Sequence, residues 1–100
     1  MKKDISNLSQ EEQVLREVFS KTKMRFLNEH FLEFNFGDKF LLEYDDLNNN
    51  VSFDIEMIYE EFKSSKIETK LNETEISVII KKLMKEVFNI DGLINVQAGY

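Results

Sequence analysis

The sequence predicts a small, helix-rich α+β domain carrying one or two short β-hairpins. Three observations lead there. Three stretches repeat apolar residues at helical spacing behind a capping residue, and one stretch alternates apolar and polar residues around a Gly-Asp pair. A length of 100 residues with 42% hydrophobic content is enough for one core but not for two. A single domain over residues 1–100 is therefore expected, with residues 1–8 as a flexible tail.

Ser9 followed by Glu12 is a capping-box pattern, in which each side chain satisfies a free amide of the other's backbone. Val14, Leu15, Val18 and Phe19 then share a helical face, so a first helix is expected over 10–22. Residues 24–36 allow two readings. Met24, Leu27, Phe31 and Phe34 fit a heptad seam, whereas Leu32, Phe34 and Phe36, then Phe40, Leu42 and Tyr44, alternate on either side of Gly37-Asp38 as a β-hairpin does. The hairpin is favoured with a three-residue loop, because Phe36 opposite Phe40, Phe34 opposite Leu42 and Leu32 opposite Tyr44 make one face wholly apolar. Glu33, Asn35 and Glu43 are left to face water.

"DDLNNN" at 45–50 is a turn, since consecutive Asp and Asn compete with the backbone for hydrogen bonds and tolerate left-handed geometry. Asp54 then caps a helix with Ile55, Ile58, Tyr59 and Phe62 inward, ending near Ser64 or Ser65. Asn72 with Glu75 starts the most regular amphipathic segment of the chain, 72–88, whose apolar stripe runs Ile76, Ile79, Ile80, Leu83, Val87 and Phe88. Asp91-Gly92 marks a break. "LINVQ" reads as a short strand, the return arm of a small hairpin.

Composition narrows the function classes. There is no Cys, so disulfides, thiolate metal sites and a cysteine nucleophile are excluded. No apolar run follows the lysines of "MKKDISNLSQEE", and no stretch reaches the roughly 18 apolar residues of a membrane span, so a cytoplasmic protein without membrane contact is expected. Eleven Lys against two Arg, with nine Asn, nine Ile and a single Ala, is the usage of AT-rich codons, as in low-GC bacteria and their phages or mobile elements. Net charge is -6, unevenly spread: residues 26–62 hold one basic and ten acidic groups. That balance speaks against a general phosphate-binding surface.

Catalytic constellations are scarce. His30 is the sole histidine, flanked by Glu29 and Glu33 without a known metal-ligand spacing, and Gly37, Gly92 and Gly99 are too scattered for a phosphate-cradling loop. The expectation is a non-enzymatic protein with no catalytic residue, metal or cofactor.

On the 72–88 helix the stripe opposite the core runs Thr74, Ser77, Val78, Lys81 and Lys85, with Lys82 at its edge. Such a face suits a recognition helix, and it equally suits an ordinary outer face whose lysines complement the helix C-terminus. The order of helix, strands, helix, turn, helix and a final β segment resembles a winged helix-turn-helix domain. Within it, "IYEEFKSSKIETKLNETEISVIIKKLMKEV" is similar to the small winged-helix modules that end phage and plasmid replication primase-helicases, over residues 54–96. The resemblance implies a winged-helix-like fold and possible DNA contact.

Two functional readings follow. The first is a protein-binding regulator of a phage or mobile element, an inhibitor or accessory subunit of a nucleic-acid enzyme. It would meet a basic or nucleic-acid-associated partner through Phe31, Glu33, Glu43, Tyr44, Asp45, Asp46, Glu56, Tyr59, Glu60 and Glu61. The second is a DNA-binding protein using Lys21, Lys23, Arg25, Thr74, Ser77, Val78, Lys81, Lys82 and Lys85. The acidic excess favours the first, because it repels phosphates and speeds encounter with a basic partner.

Overall fold

Helix α1 (Gln10–Ser20) starts where Ser9 Oγ accepts the Glu12 amide at 3.0 Å. The computed structural model describes residues 9–90 and 94–99, so the expected tail at 1–8 and the Asp91-Gly92 break lie outside the described residues. α1 ends two residues before the expected Thr22. The Lys21 and Thr22 amides bond to Val18 and Phe19 carbonyls three residues back, and Thr22 Oγ1 donates to the Val18 carbonyl at 2.7 Å, which tightens the last turn and closes it.

The heptad reading of 24–36 gives way to strands. β1 (Lys23–Asn28) and β2 (Phe31–Phe36) form a hairpin whose turn is built by Asn28, its Oδ1 accepting the amides of His30 at 2.8 Å and Phe31 at 3.2 Å. β2 pairs with β3 (Lys39–Asp45) in the expected register along most of its length, Phe34 opposite Leu42 and Leu32 opposite Tyr44. The tip differs. The loop has two residues, with Phe36 opposite Lys39 and Asn35 opposite Phe40, and a β-bulge at Leu41 absorbs the one-residue slip. Gly37 supplies the positive φ (67°) that the first central residue of a tight hairpin turn needs. Because of the bulge, Phe40 leaves the apolar face for the Asn35 side, while Leu41 and Leu42 are both fully buried.

Asn49, at φ 55°, closes the Asp-Asn turn and leads into β4 (Asn50–Phe53), a strand too short to stand out in the sequence. Asp54 caps α2 (Ile55–Ser64), its Oδ1 accepting the amides of Glu56 and Met57 at 3.1 Å, and its own amide donates to the Leu41 carbonyl at 2.9 Å. α3 (Glu73–Phe88) carries the full reciprocal capping box of Asn72 and Glu75 and ends at left-handed Asn89. β5 (Asn95–Ala98) is not the arm of a hairpin. It lies parallel to β4, Val51 beside Val96 and Phe53 beside Ala98, so α2 and α3 form the long crossover that parallel neighbours require.

The sheet is therefore larger than one or two hairpins: among the described residues it has five strands in the order β1-β2-β3-β4-β5, antiparallel except at the β4–β5 pair. The domain is α+β, with three helices among the described residues. One sheet face presents Phe34, Leu42, Val51 and Phe53 to a core completed by Leu15, Phe19, Ile58, Phe62, Ile76, Ile80 and Leu83. Met57 and Met84, outside the expected stripes, are also buried. Phe88 joins the layers, its ring 4.6 Å from Phe34 and 5.4 Å from Phe19. Among the described residues no helix is long and apolar enough to cross a membrane.

Candidate protein-binding surface

Strand alternation places every second side chain on the sheet face away from this core. Successive pairings line up Arg25, Glu33, Glu43, Ser52 and Gln97 in one row across all five strands, and Phe31, Asp45, Asn50 and Asn95 in the next. Among the described residues this face carries no helix. Its polar character follows from the residues that strand periodicity assigned to water, Glu33, Asn35 and Glu43, and extends to Asn50, Ser52, Asn95 and Gln97, which sequence reasoning did not single out. Alternation within β4 and β5 was the available signal, but both strands are four residues long.

Glu33 and Glu43 stand directly opposite each other, an arrangement of like charges that destabilises a sheet. Partial compensation comes from Arg25 Nη1, 3.7 Å from Glu33 Oε1, and from Asn35 Nδ2, which donates to the same oxygen at 3.0 Å. Arg25, Glu33, Asn35 and the displaced Phe40 line one shallow depression.

At the end of the face Asp45 organises the β3–β4 turn, accepting from the Leu47 amide at 3.0 Å, the Asn48 amide at 3.3 Å and Asn48 Nδ2 at 2.8 Å. The Asn48 side-chain amide, joined by the two backbone amides and the nearby His30, holds the Asp45 carboxyl below the usual range against the opposing effect of desolvation. Asp46 Oδ1 lies 3.1 Å from His30 Nδ1, and Glu29 Oε1 lies 3.7 Å from His30 Nε2. Among the described residues no group of three His, Cys, Asp or Glu side chains is placed to hold a metal ion.

The remaining expected binding residues lie elsewhere. Tyr44 points to the core face opposite Val51 and is half-buried; burial, then the charges of Asp46 and Asp45, raise the pKa of its hydroxyl. Glu56, Tyr59, Glu60 and Glu61 ride on α2, on the helical side of the sheet. Tyr59 packs on Phe62 and donates its hydroxyl to the Leu71 carbonyl at 3.1 Å, and Glu61 pairs with Lys39 at 3.4 Å. The acidic middle third is thus divided between two surfaces.

The basic set is divided too. Lys21, Lys23 and Arg25 sit at the end of α1 and on β1, one edge of the sheet; Thr74, Ser77, Val78 and Lys81 border β5, the other edge, in a depression shared with Ile94, Asn95 and Val96. Several are occupied within the fold. Lys21 pairs with Glu17 at 3.3 Å, Ser77 Oγ donates to the Glu73 carbonyl, and Lys82 Nζ reaches Glu12 Oε2 at 2.9 Å. That last contact was missed in the sequence because Glu12 looked like a cap partner. It turns instead toward Lys82 and Arg16, and Arg16 continues to Glu86 at 2.7 Å, tying α1 to α3. Comparison with models of known protein families, with curated proteins and with solved structures finds no match.

Proposed function

We propose that this protein is a non-enzymatic, protein-binding regulator that meets a partner bearing basic groups across the helix-free face of its sheet. The observation that carries the reading is the facing pair Glu33–Glu43, flanked by Asp45 and by the aromatic rings of Phe31 and Phe40. Like charges placed directly opposite each other work against a sheet even where Arg25 and Asn35 ease one of them, and a cationic group from a partner would convert that repulsion into binding energy and into a faster, salt-sensitive on-rate. The AT-rich residue usage supports a phage or mobile-element origin, and a nucleic-acid enzyme is the kind of basic partner an inhibitor or accessory subunit from that source would meet.

The test is recovery of a partner from the source cells, identified by mass spectrometry, with three forms of the chain as bait. The Glu33→Gln/Glu43→Gln variant should lose the partner while folding as well as the parent. Glu56→Gln/Glu60→Gln, which alters only α2, should retain it. The opposite pattern would move the binding surface to α2 and defeat this reading.

A second reading, a winged-helix-like DNA-binding protein, draws support from exposed Lys81 and Lys85 on the outer stripe of α3 and from Val78, 66% exposed on the same stripe. It is weakened by the ion pairs that engage Lys21, Arg25 and Lys82. It ranks below the first for that reason.

A further inference from the structure

The two edges of the sheet are finished differently. At the β5 edge, Val96 and Ala98 pack against the core, and α3 lies alongside. At the β1 edge nothing comparable happens: all six residues from Lys23 to Asn28 are exposed. Met24 and Phe26 pair with Phe34 and Leu32, so they continue the apolar core face one strand beyond the helices, and they remain 57% and 76% exposed. Leu27, at the bulge that follows, is 44% exposed. Among the described residues, three of the five exposed large hydrophobic side chains therefore lie on this one strand. Its outer main-chain groups have no neighbouring strand among the described residues.

The other side of the same strand is basic. Between Glu17 and Glu29 the chain has Lys21, Lys23 and Arg25 and no acid, in a protein of net charge -6. Edge strands are commonly guarded by such charges and by bulges against pairing with themselves. Here a second copy would bring Lys23 and Arg25 against the same two cations. An incoming strand with acids at those positions would meet the reverse, attraction on one face and apolar contact with Met24 and Phe26 on the other.

We propose that β1 is a docking edge for an extended segment of another protein in which apolar and acidic side chains alternate. Lys23–Phe26, the part ahead of the bulge, sets the register. Main-chain hydrogen bonds hold the segment, Met24 and Phe26 take its apolar side chains, and Lys23 and Arg25 take its carboxylates. Lys23 and Arg25 lie at the β1 edge of the open face, Arg25 3.7 Å from Glu33, so this surface adjoins the acidic rows, whereas Met24 and Phe26 lie on the opposite face and distinguish it from them.

The test uses the full chain, labelled for amide NMR, and three end-blocked peptides of roughly seven residues, a typical strand length. One alternates Val with Glu, one alternates Val with Lys, and one is the Val/Glu peptide with a central Pro. The Val/Glu peptide should shift the amides of β1 and β2 and saturate with a Kd below about 1 mM. The Val/Lys and Pro peptides should bind at least about tenfold more weakly, a difference of about 1.4 kcal/mol. Phe26→Ser, a change at an exposed position, should abolish the shifts, and Lys23→Glu/Arg25→Gln should remove the preference for Glu over Lys. Absence of saturable shifts, shifts centred outside β1 and β2, or equal binding of the two charged peptides would overturn the proposal. So would sedimentation showing a dimer of the free chain that Phe26→Ser dissolves, since the edge would then belong to a second copy.

Discussion

Replacing Glu12 with Gln probes the contact that fixes α1 on α3. The Glu12 side chain is 10% exposed, and its Oε2 accepts from Lys82 Nζ at 2.9 Å and from Arg16 Nη2 at 3.1 Å. Burial alone would raise its pKa, but the hydrogen bonds and charges of Lys82 and Arg16 outweigh that effect and leave the carboxyl below its ordinary value. A carboxylate with a depressed folded pKa stabilises fully above its unfolded pKa, about 4.3, and loses that contribution as pH falls through the folded value. Hydrogen bonds to a charged group contribute about 1.5–3 kcal/mol when well shielded. Here both cations are partly hydrated, so Gln, which keeps an acceptor without the charge, should cost about 1–2 kcal/mol. In a domain of this size that is a fall in Tm of about 5–10 °C. Urea unfolding near neutral pH and again near pH 3 measures it, and the difference between parent and variant should shrink at the lower pH. A Gln variant within about 0.5 kcal/mol of the parent at neutral pH, or a loss that does not shrink on acidification, would refute the argument. A double-mutant cycle with Lys82→Met should return a coupling of at least about 0.5 kcal/mol.

The faces of α3 set a second ranking: Ile80→Ala and Leu83→Ala, both fully buried, should each destabilise by about 2–4 kcal/mol, whereas exposed Lys81→Ala and Lys85→Ala should stay within about 0.5 kcal/mol in the same urea titration. His30→Ala should leave partner capture intact in a folded protein, because its ring is engaged by Asp46 and Glu29 at the surface; loss of capture at unchanged stability would contradict this. Binding to short DNA between 50 and 200 mM salt should be weak, and tight binding that falls with a slope of about -0.9 per phosphate and vanishes in a Lys81, Lys82, Lys85 triple-Ala variant would instead establish α3 as a recognition helix. Glu33→Gln/Glu43→Gln should unfold at equal or higher urea concentration than the parent, by up to about 1 kcal/mol, since it removes a facing like-charge pair.

What could be read in advance was local. Ser9, Asp54 and Asn72 each cap a helix within three residues of themselves, so all three helix starts were legible from a side chain and its near neighbours. The alternation through Leu32, Phe34, Leu42 and Tyr44 likewise carried the hairpin register. Non-local pairing was not legible. β1 buries none of its residues, β4 spans four, and the partner that β5 lies beside is separated from it by two helices. Asn28, whose side chain builds the turn between β1 and β2, was the unused clue to the first hairpin.

The same division applies to the candidate surface. That Glu33 and Glu43 face away from the apolar residues follows from alternation, and their direct opposition follows from the hairpin register. Which acids share a surface depends on where the helices pack, and that is set by long-range burial. With α2 on the core side, Glu56 and Glu60 are carried away from Glu33 and Glu43, and Tyr44 and Tyr59, attractive as exposed aromatics in a linear reading, are drawn into packing and a backbone hydrogen bond. Negative charge concentrated between residues 26 and 62 therefore does not make one continuous acidic patch. The open face has the smaller share of it, but that share includes the Glu33–Glu43 pair whose geometry works against the fold. Relief of the repulsion would favour an amide at one of the two positions, so at this pair binding and folding pull in opposite directions. A gain in stability with loss of the partner in Glu33→Gln/Glu43→Gln is the joint outcome that separates a binding surface from a merely solvated one.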